Sequence, residues 1–398
     1  MPEETKPPLR FRRSLENRLA DFDAIGRRLQ AERSAAVELI DQALRSTPAD
    51  QWRVLAERPA LQTSGALDRI AALIDQEITR NPKLAEKLAM LGLSIAEAIP
   101  ETAYPPIVMA QIHSFAWKDH GKVLSYLARH EDALRSFDNA EAAFNVFQQG
   151  IAHHDLAIIN LNRAITFSEM GRYQKALDYL SVCKEVFRGH GDTRLFILSN
   201  FYEGHALKRL GNYRDAREIY LLLIASGESI DKSTLGALYQ AIGVCSTELK
   251  DYDTAEFYIS KSITVLSDLG QTADVVKAEY SRGRLLLQRG RTAEAIDHLR
   301  TVRHRFLMFS LAEEAGLSGL DMVHGMLSLG RGKDAERLAR TILSEFLAAG
   351  LNERTITALG YLAEAIETKK ATPRTASRIR EYILSLRTEP EREFEQHD

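Results

Sequence analysis

A six-residue turn signature recurs through this chain and constrains its fold more than any other feature. It reads ARHEDA at 128–133, GRYQKA at 171–176, GNYRDA at 211–216, KDYDTA at 250–255, GRTAEA at 290–295 and GRGKDA at 330–335. The closing alanines, Ala133, Ala176, Ala216, Ala255, Ala295 and Ala335, follow one another at intervals of 43, 40, 39, 40 and 40 residues, and a weaker seventh copy ends at Ala376 after a further 41. Seven residues before each turn stands a small residue (Gly121, Ala164, Gly204, Gly243, Gly283), with Val323 the exception. Four residues after the alanines come Phe137, Leu180, Tyr220, Ile259 and Leu299. A small residue in one helix and an alanine in the next let two helices approach closely, and the larger side chain one turn on fills the space beside that contact. Glycine at the turn supplies the left-handed backbone that stops the first helix. Such a pair cannot bury its apolar face alone, so successive pairs must stack.

Proline usage agrees. From Ile107 to Thr372 there is none in 266 residues, which suits helix after helix and argues against a loop-rich sandwich or a disordered chain.

Trp117-x3-Gly121-x2-Leu124 with Ala133, Phe137 and Ala140, and Gly204 with Gly211-Asn212-Tyr213, Ala216 and Tyr220, resemble the tetratricopeptide repeat family. The likeness runs from Gln111 to Leu386. It implies an all-α fold: a right-handed superhelix, or α-solenoid, of stacked antiparallel helix pairs with a concave inner wall. The period is near 40 rather than the family's usual length of about 34. No proline closes a repeat; Gly150, Gly191, Gly227, Gly270 and Gly350 stand between pairs instead, with MFSL (308–311) filling the missing slot. Longer repeats of this kind resemble the repeat domains of bacterial signalling and transcription regulators.

The domain plan read from the sequence has four parts. Residues 1–62 form a charged leader with N-terminal helices, in which Thr47 or Asp50 is expected to cap a short helix carrying Trp52 and Leu55. Residues 63–106 read as a degenerate helix pair, its second helix opened by Pro82, and a linker TAYPP (102–106), together an N-terminal cap. Residues 107–388 are the repeat array, closed by a charged helix after Thr372-Pro373, and 389–398 are an acidic tail expected to fray.

Charge excludes some partners. With 52 Lys+Arg against 55 Asp+Glu in 398 residues, a net charge of −3 gives no bulk drive towards nucleic acid or an anionic membrane. The most basic stretch (Arg10, Arg12, Arg13, Arg18, Arg27, Arg28, Arg33) is diluted by Glu16, Asp21, Asp23 and Glu32 and reads as a solvated or partner-contacting leader. The first residues lack a signal-peptide core and no window is apolar enough to span a membrane, so a cytoplasmic location is expected. Cys183 and Cys245 fall at helix-packing positions and read as small core residues.

Catalytic chemistry has no foothold in the motifs. Gly325-x4-Gly330-Arg-Gly-Lys333 only grazes a phosphate-binding loop and follows no strand. His153-His154-Asp155 is the densest cluster of metal-binding types, but neighbours on a helix point about 100° apart. No HExxH or GxSxG occurs. No catalytic residue, metal or cofactor is expected, and the chain reads as non-enzymatic.

The inner wall offers a different chemistry. The register set by the turns points Lys118, Lys122 and Tyr126 inward in repeat one, and Asn162 and Ile165 in repeat two. Repeat three contributes Phe201, Tyr202, His205 and Arg209; repeat four, Gln240, Val244 and Thr247. Tyr280, Arg284 and Gln288 follow in repeat five, then Leu320 and His324 in repeat six. From these, Lys118, Lys122, Tyr126, Asn162, Tyr202, His205, Arg209, Gln240, Tyr280, Arg284 and His324 are the candidate binding residues. Amides pair with an extended backbone, cations with its carboxylates, and aromatics anchor its apolar side chains. The expectation is a scaffold holding a protein partner or peptide in the groove, in a regulatory or signalling complex. Two alternatives stand beside it: a peptide-sensing regulator that releases a second protein, and an assembly subunit binding through its N-terminal cap. Oligomeric state is written in none of these features.

Overall fold

The computed structural model describes residues 9–147, 152–226, 230–348, 353–386, 389 and 392–395. Gly150, Gly227 and Gly350 of the expected inter-pair turns, the rest of the expected acidic tail, and the side chains of Arg10, Arg12, Arg13 and Arg18 lie outside the described residues. The helices are α1 (Leu9–Ser46), α2 (Ser64–Glu77), α3 (Pro82–Ala98), α4 (Pro106–Tyr126), α5 (His130–Ala142) and α6 (His153–Glu169). They continue as α7 (Tyr173–Gly189), α8 (Thr193–Arg209), α9 (Tyr213–Ala225), α10 (Lys232–Glu248), α11 (Tyr252–Asp268) and α12 (Thr272–Gln288). The last are α13 (Thr292–Met308), α14 (Ala312–Ser328), α15 (Gly332–Ala348), α16 (Glu353–Glu367) and α17 (Pro373–Ser385). Among the described residues there is no strand, and no helix long and apolar enough to cross a membrane. The chain forms two compact units, Met1–Thr166 and Phe167–Asp398.

In the first unit one apolar core runs from Ile40 to Val123. Thr63 and Asn81 cap α2 and α3 by accepting from Ala66 N and Leu84 N. The helices α1 and α2 touch at Gly65, where any Cβ would collide with the backbone of Glu32. The TAYPP stretch is a surface turn anchored in this core by Tyr104, with Thr102 and Pro106 exposed. Tyr104 is buried, its hydroxyl donates to Glu32 Oε2 at 2.5 Å and accepts from Ser64 N at 3.0 Å, and the Arg28 guanidinium lies 4.4 Å from its ring centroid. Arg28 also donates to the Ala103 carbonyl at 2.7 Å and Arg33 to Asp68 at 2.5 Å, so leader cations are used within the unit. Residues 52–57 form a 3-10 helix that neither Thr47 nor Asp50 caps. Thr47 instead gives its carbonyl to the Trp52 indole at 2.9 Å, because a buried indole N–H must find an acceptor.

The repeat physics holds residue by residue. A Cβ on Gly121 would lie 2.5 Å from the Phe137 ring, one on Gly204 2.5 Å from Tyr220, and one on Gly243 2.5 Å from Ile259. Val323 departs from this pattern, and α14 makes its close approach at Gly316 and Gly319, against Phe346 and Ile342 of α15. The turns close alike: the residue after the left-handed one donates back five residues, as in Arg129 to Leu124 (2.9 Å), Asn212 to Leu207 (2.9 Å) and Arg331 to Met326 (2.8 Å). Glycine is not required for it. Ala128 and Lys250 take the same conformation at φ 58° and 61°, and Ser310 fills the MFSL slot at φ 58°. Cys183 and Cys245 are fully buried.

The C-terminal end differs from expectation. α17 packs chiefly along α14 and only lightly on α16, where earlier second helices pack on the helix preceding them. The described tail residues dock rather than fray. Phe394 lies 4.9 Å from the Tyr382 ring and 5.5 Å from Tyr361, and Tyr382 donates to the Arg392 carbonyl at 2.8 Å.

Candidate partner-binding face

The first unit holds four of the expected binding residues, each in its own setting. Lys118 pairs with Asp119 at 2.8 Å and lies 5.0 Å from the Phe115 ring. Lys122 bonds Asp75 of α2 at 2.6 Å, so its charge is directed at the N-terminal helices. Tyr126 is exposed, and Asn162 donates to the Ile158 carbonyl of its own helix at 2.8 Å. His153 and Asp155 sit at the start of α6, where Asp155 accepts from Gln111 at 2.9 Å. That explains the histidine-rich cluster as a helix start.

In the second unit the inward registers of α8, α10, α12 and α14 share a pattern. Phe201, Gln240, Tyr280 and Leu320 occupy one register; His205, Val244, Arg284 and His324 the next; Tyr202, Ala241, Ser281 and Asp321 a third. Two expected groove residues belong to the core instead: Thr247 is buried and bonds the Gly243 carbonyl, and Leu320 is fully buried.

At repeats five and six these registers are occupied by α17. The Tyr280 hydroxyl donates to Asp321 Oδ2 at 2.6 Å and accepts from Arg380 Nη2 at 3.0 Å, while Arg380 Nε is 3.1 Å from Asp321 Oδ1. Burial, reinforced by Asp321, pushes the Tyr280 hydroxyl up to about 12. Burial works against the Arg380 charge, yet Asp321 and Tyr280 hold its guanidinium above the ordinary value. Arg284 donates to Glu248 at 3.1 Å, and His324 Nδ1 lies 3.0 Å from the Pro373 carbonyl and 2.9 Å from Ser377 Oγ. Tyr280, Arg284 and His324 are therefore engaged within the chain.

Repeats three and four carry no carboxylate in these registers, and α8 ends on two cations, Lys208 and Arg209. Arg209 donates through Nε to the Tyr173 hydroxyl at 3.0 Å and lies 5.9 Å from its ring centroid. Among the described residues neither Arg209 nor Lys208 pairs with a carboxylate. The buried His205 Nδ1 has no hydrogen-bond partner. Burial pushes His205 down to about 3, and the Lys208 and Arg209 charges act in the same direction. Burial also lowers Lys208, with Cys245 opposing and Arg209 adding. Tyr202 is raised by burial and then by Glu169, and its ring meets Phe201 edge-on at 5.7 Å. Gln240 reaches across to Ser281 at 3.3 Å.

Sequence reasoning missed Lys208, Asp321 and Arg380. Lys208 precedes Arg209 at a helix end, and both belong to one cationic terminus. Asp321 belongs to no motif that the local sequence marks. Arg380 lies in a stripe with Ala376, Ile379 and Ile383, at spacings that put all four on one helix face.

No protein-family model matches the chain, and no curated protein does. Solved structures do. Aspartyl phosphate phosphatase F from Bacillus subtilis is similar at 15% identity and a TM-score of 0.55, over 74% of this chain and 72% of that one. A signal transduction ATPase with a tetratricopeptide repeat sensor, from Pyrococcus horikoshii, matches at 13% identity and TM-score 0.58 over 91% of this chain and 53% of that one. The apo quorum sensor NprR from B. thuringiensis matches at 13% identity and TM-score 0.50 over 81% and 99%. With the paired helices described above, these likenesses place the chain in the tetratricopeptide-repeat fold, an all-α helical solenoid.

Proposed function

We propose that this chain is a non-enzymatic scaffold of a cytoplasmic regulatory or signalling complex. It takes an acidic, extended segment of a partner protein or peptide along the inward face of α8 and α10. One observation carries this: among the described residues Lys208 and Arg209 stand together without a carboxylate, beside a histidine nitrogen without a partner. Lys208 and the Nη groups of Arg209 have no carboxylate among the described residues, and a carboxylate-bearing ligand supplies one. Tyr173 orients Arg209 through Nε, so its two Nη groups remain to grip a carboxylate. Tyr202 and Gln240 then meet the flanking side chain and backbone. The tetratricopeptide-repeat sensor and the quorum sensor that share the fold are in keeping with such a role.

The test is affinity capture with the wild-type chain beside a Lys208→Glu/Arg209→Glu variant, followed by titration of each captured partner at rising salt. Expected is loss of groove partners from the variant and, for the wild type, affinity that falls as salt rises. Identical capture lists would sink the proposal.

A second reading, an effector-responsive regulator, is favoured by a cleft of about 200 Å³ in the first unit. It is lined by Leu67, Ile70, Val108, Ile112 and Phe115, with Lys118 and Asp119 on its wall. On this reading substitutions at Leu67 or Phe115 alter the response to an effector without altering partner capture. If every functional substitution mapped to α8 and α10, the reading would fail.

A further inference from the structure

The last helix takes a seat that its own repeat register does not call for. Ala376 matches the alanines that seat α9, α11 and α13 against the helices before them, yet α17 lies along α14. A Cβ on Gly360 of α16 would meet nothing within 4 Å, so among the described residues none packs against that side of α16. On α14 and α12 the helix covers His324, Asp321 and Tyr280, the registers that on α8 belong to His205, Tyr202 and Phe201.

We propose that the inward face of α12 and α14 is a docking surface for an amphipathic helix of a partner protein, and that α17 is its occupant in cis. The helix it fits carries apolar residues at i, i+3 and i+7 and an arginine at i+4, as Ala376, Ile379, Ile383 and Arg380 do in α17. The apolar residues are buried to 2% exposure or less and supply contact area. The arginine is read by an acidic and a hydroxyl group together, Asp321 at 3.1 Å and Tyr280 at 3.0 Å. A buried ion pair adds little to stability over an apolar pair of the same size, but it rejects helices lacking the cation. The tether is short and exposed at Glu367–Lys370, and it closes as the repeat turns do, with Lys369 at φ 59° and Lys370 N donating to the Ala365 carbonyl at 2.8 Å. A tether this short holds α17 at an effective concentration of about millimolar. A partner helix must therefore outcompete it, and weakening the cis contact uncovers the surface. This inference is independent of the α8–α10 reading.

The probe is a fluorescent synthetic peptide of residues 372–386, titrated by anisotropy into the full chain. Three chains are compared: wild type, Arg380→Ala, and Arg380→Ala with Asp321→Asn. Expected is at least tenfold tighter binding to Arg380→Ala than to wild type, with that gain lost in the double variant. A peptide carrying Arg380→Ala should bind the uncovered surface at least tenfold more weakly. Circular dichroism and a cooperative melt establish that each chain is folded; if Arg380→Ala is not, Ile383→Ala weakens the cis helix in its place. Equal binding to covered and uncovered chains, or binding indifferent to the peptide's arginine, overturns the proposal. Concentration-dependent dimers of the wild-type chain, seen by light scattering and abolished by Asp321→Asn, assign the surface to a second copy and overturn it too.

Discussion

Gly204 and Tyr220 approach so closely that a Cβ on residue 204 would sit 2.5 Å from the tyrosine ring, and that ring is fully buried. A buried aromatic has no room to yield. Gly204→Ala is expected to destabilise the second unit by about 2–3 kcal/mol, measured as a lower urea midpoint with unchanged slope. Gly360→Ala, where the added methyl meets open space, should instead stabilise by about 0.5–1 kcal/mol through helix propensity. Equal effects at the two sites would contradict the packing described.

Lys250 holds a left-handed conformation at φ 61° that most repeats give to glycine. Replacing Lys250 by glycine removes a Cβ clash and should stabilise by about 1 kcal/mol. The converse change, Gly211→Ala at φ 83°, should cost a similar amount. Thermal melts of the two variants against wild type decide it.

Asp321 is the hub of the buried ion cluster, with Arg380 only 12% exposed beside it. Asp321→Ala leaves that guanidinium without its carboxylate and should cost about 3–5 kcal/mol. The paired replacement Asp321→Leu/Arg380→Met should recover most of the loss, because two apolar groups need no partners. A double-mutant cycle by chemical denaturation reads the coupling.

His205 titrates near 6.5 in an unfolded chain and near 3 in the folded one. Between those values the unfolded chain takes up a proton that the folded chain refuses. Its contribution to stability is thus complete above 6.5 and is lost as pH falls towards 3, at up to about 1.4 kcal/mol per pH unit. His205→Gln should flatten the acid limb of the stability curve relative to wild type. Parallel limbs would show that the imidazole charges freely in the native state.

The pairing of Gly121 with Phe137, Gly204 with Tyr220 and Gly243 with Ile259 was legible because each pair lies within one repeat and follows a fixed register. Residues that pair over longer separations were not. Tyr280 and Arg380 are 100 positions apart, and nothing local marks the seat that α17 takes. Its alanine fits a seventh pair as well as it fits the face of α14, and only tertiary packing chooses between them. The same holds for Val323: the register called for a small residue there, and two glycines four and seven positions earlier do the work. The turns at Ala128 and Lys250 were legible from register alone, without a glycine, since the hydrogen bonds of the turn tolerate a side chain that propensity disfavours. Among the candidate binding residues, helix registers could be named in advance. Which of them already held a partner could not.

Burial has one practical consequence. Both native thiols are sealed, and it pushes Cys183 up to about 12 and Cys245 up to about 11. At neutral pH maleimides and spin labels will pass them by, so the wild-type background needs no cysteine removal. A single cysteine introduced on the exposed flank of α17 and another on α16 become the only reactive positions, and the distance between them reports directly on where the last helix is sitting.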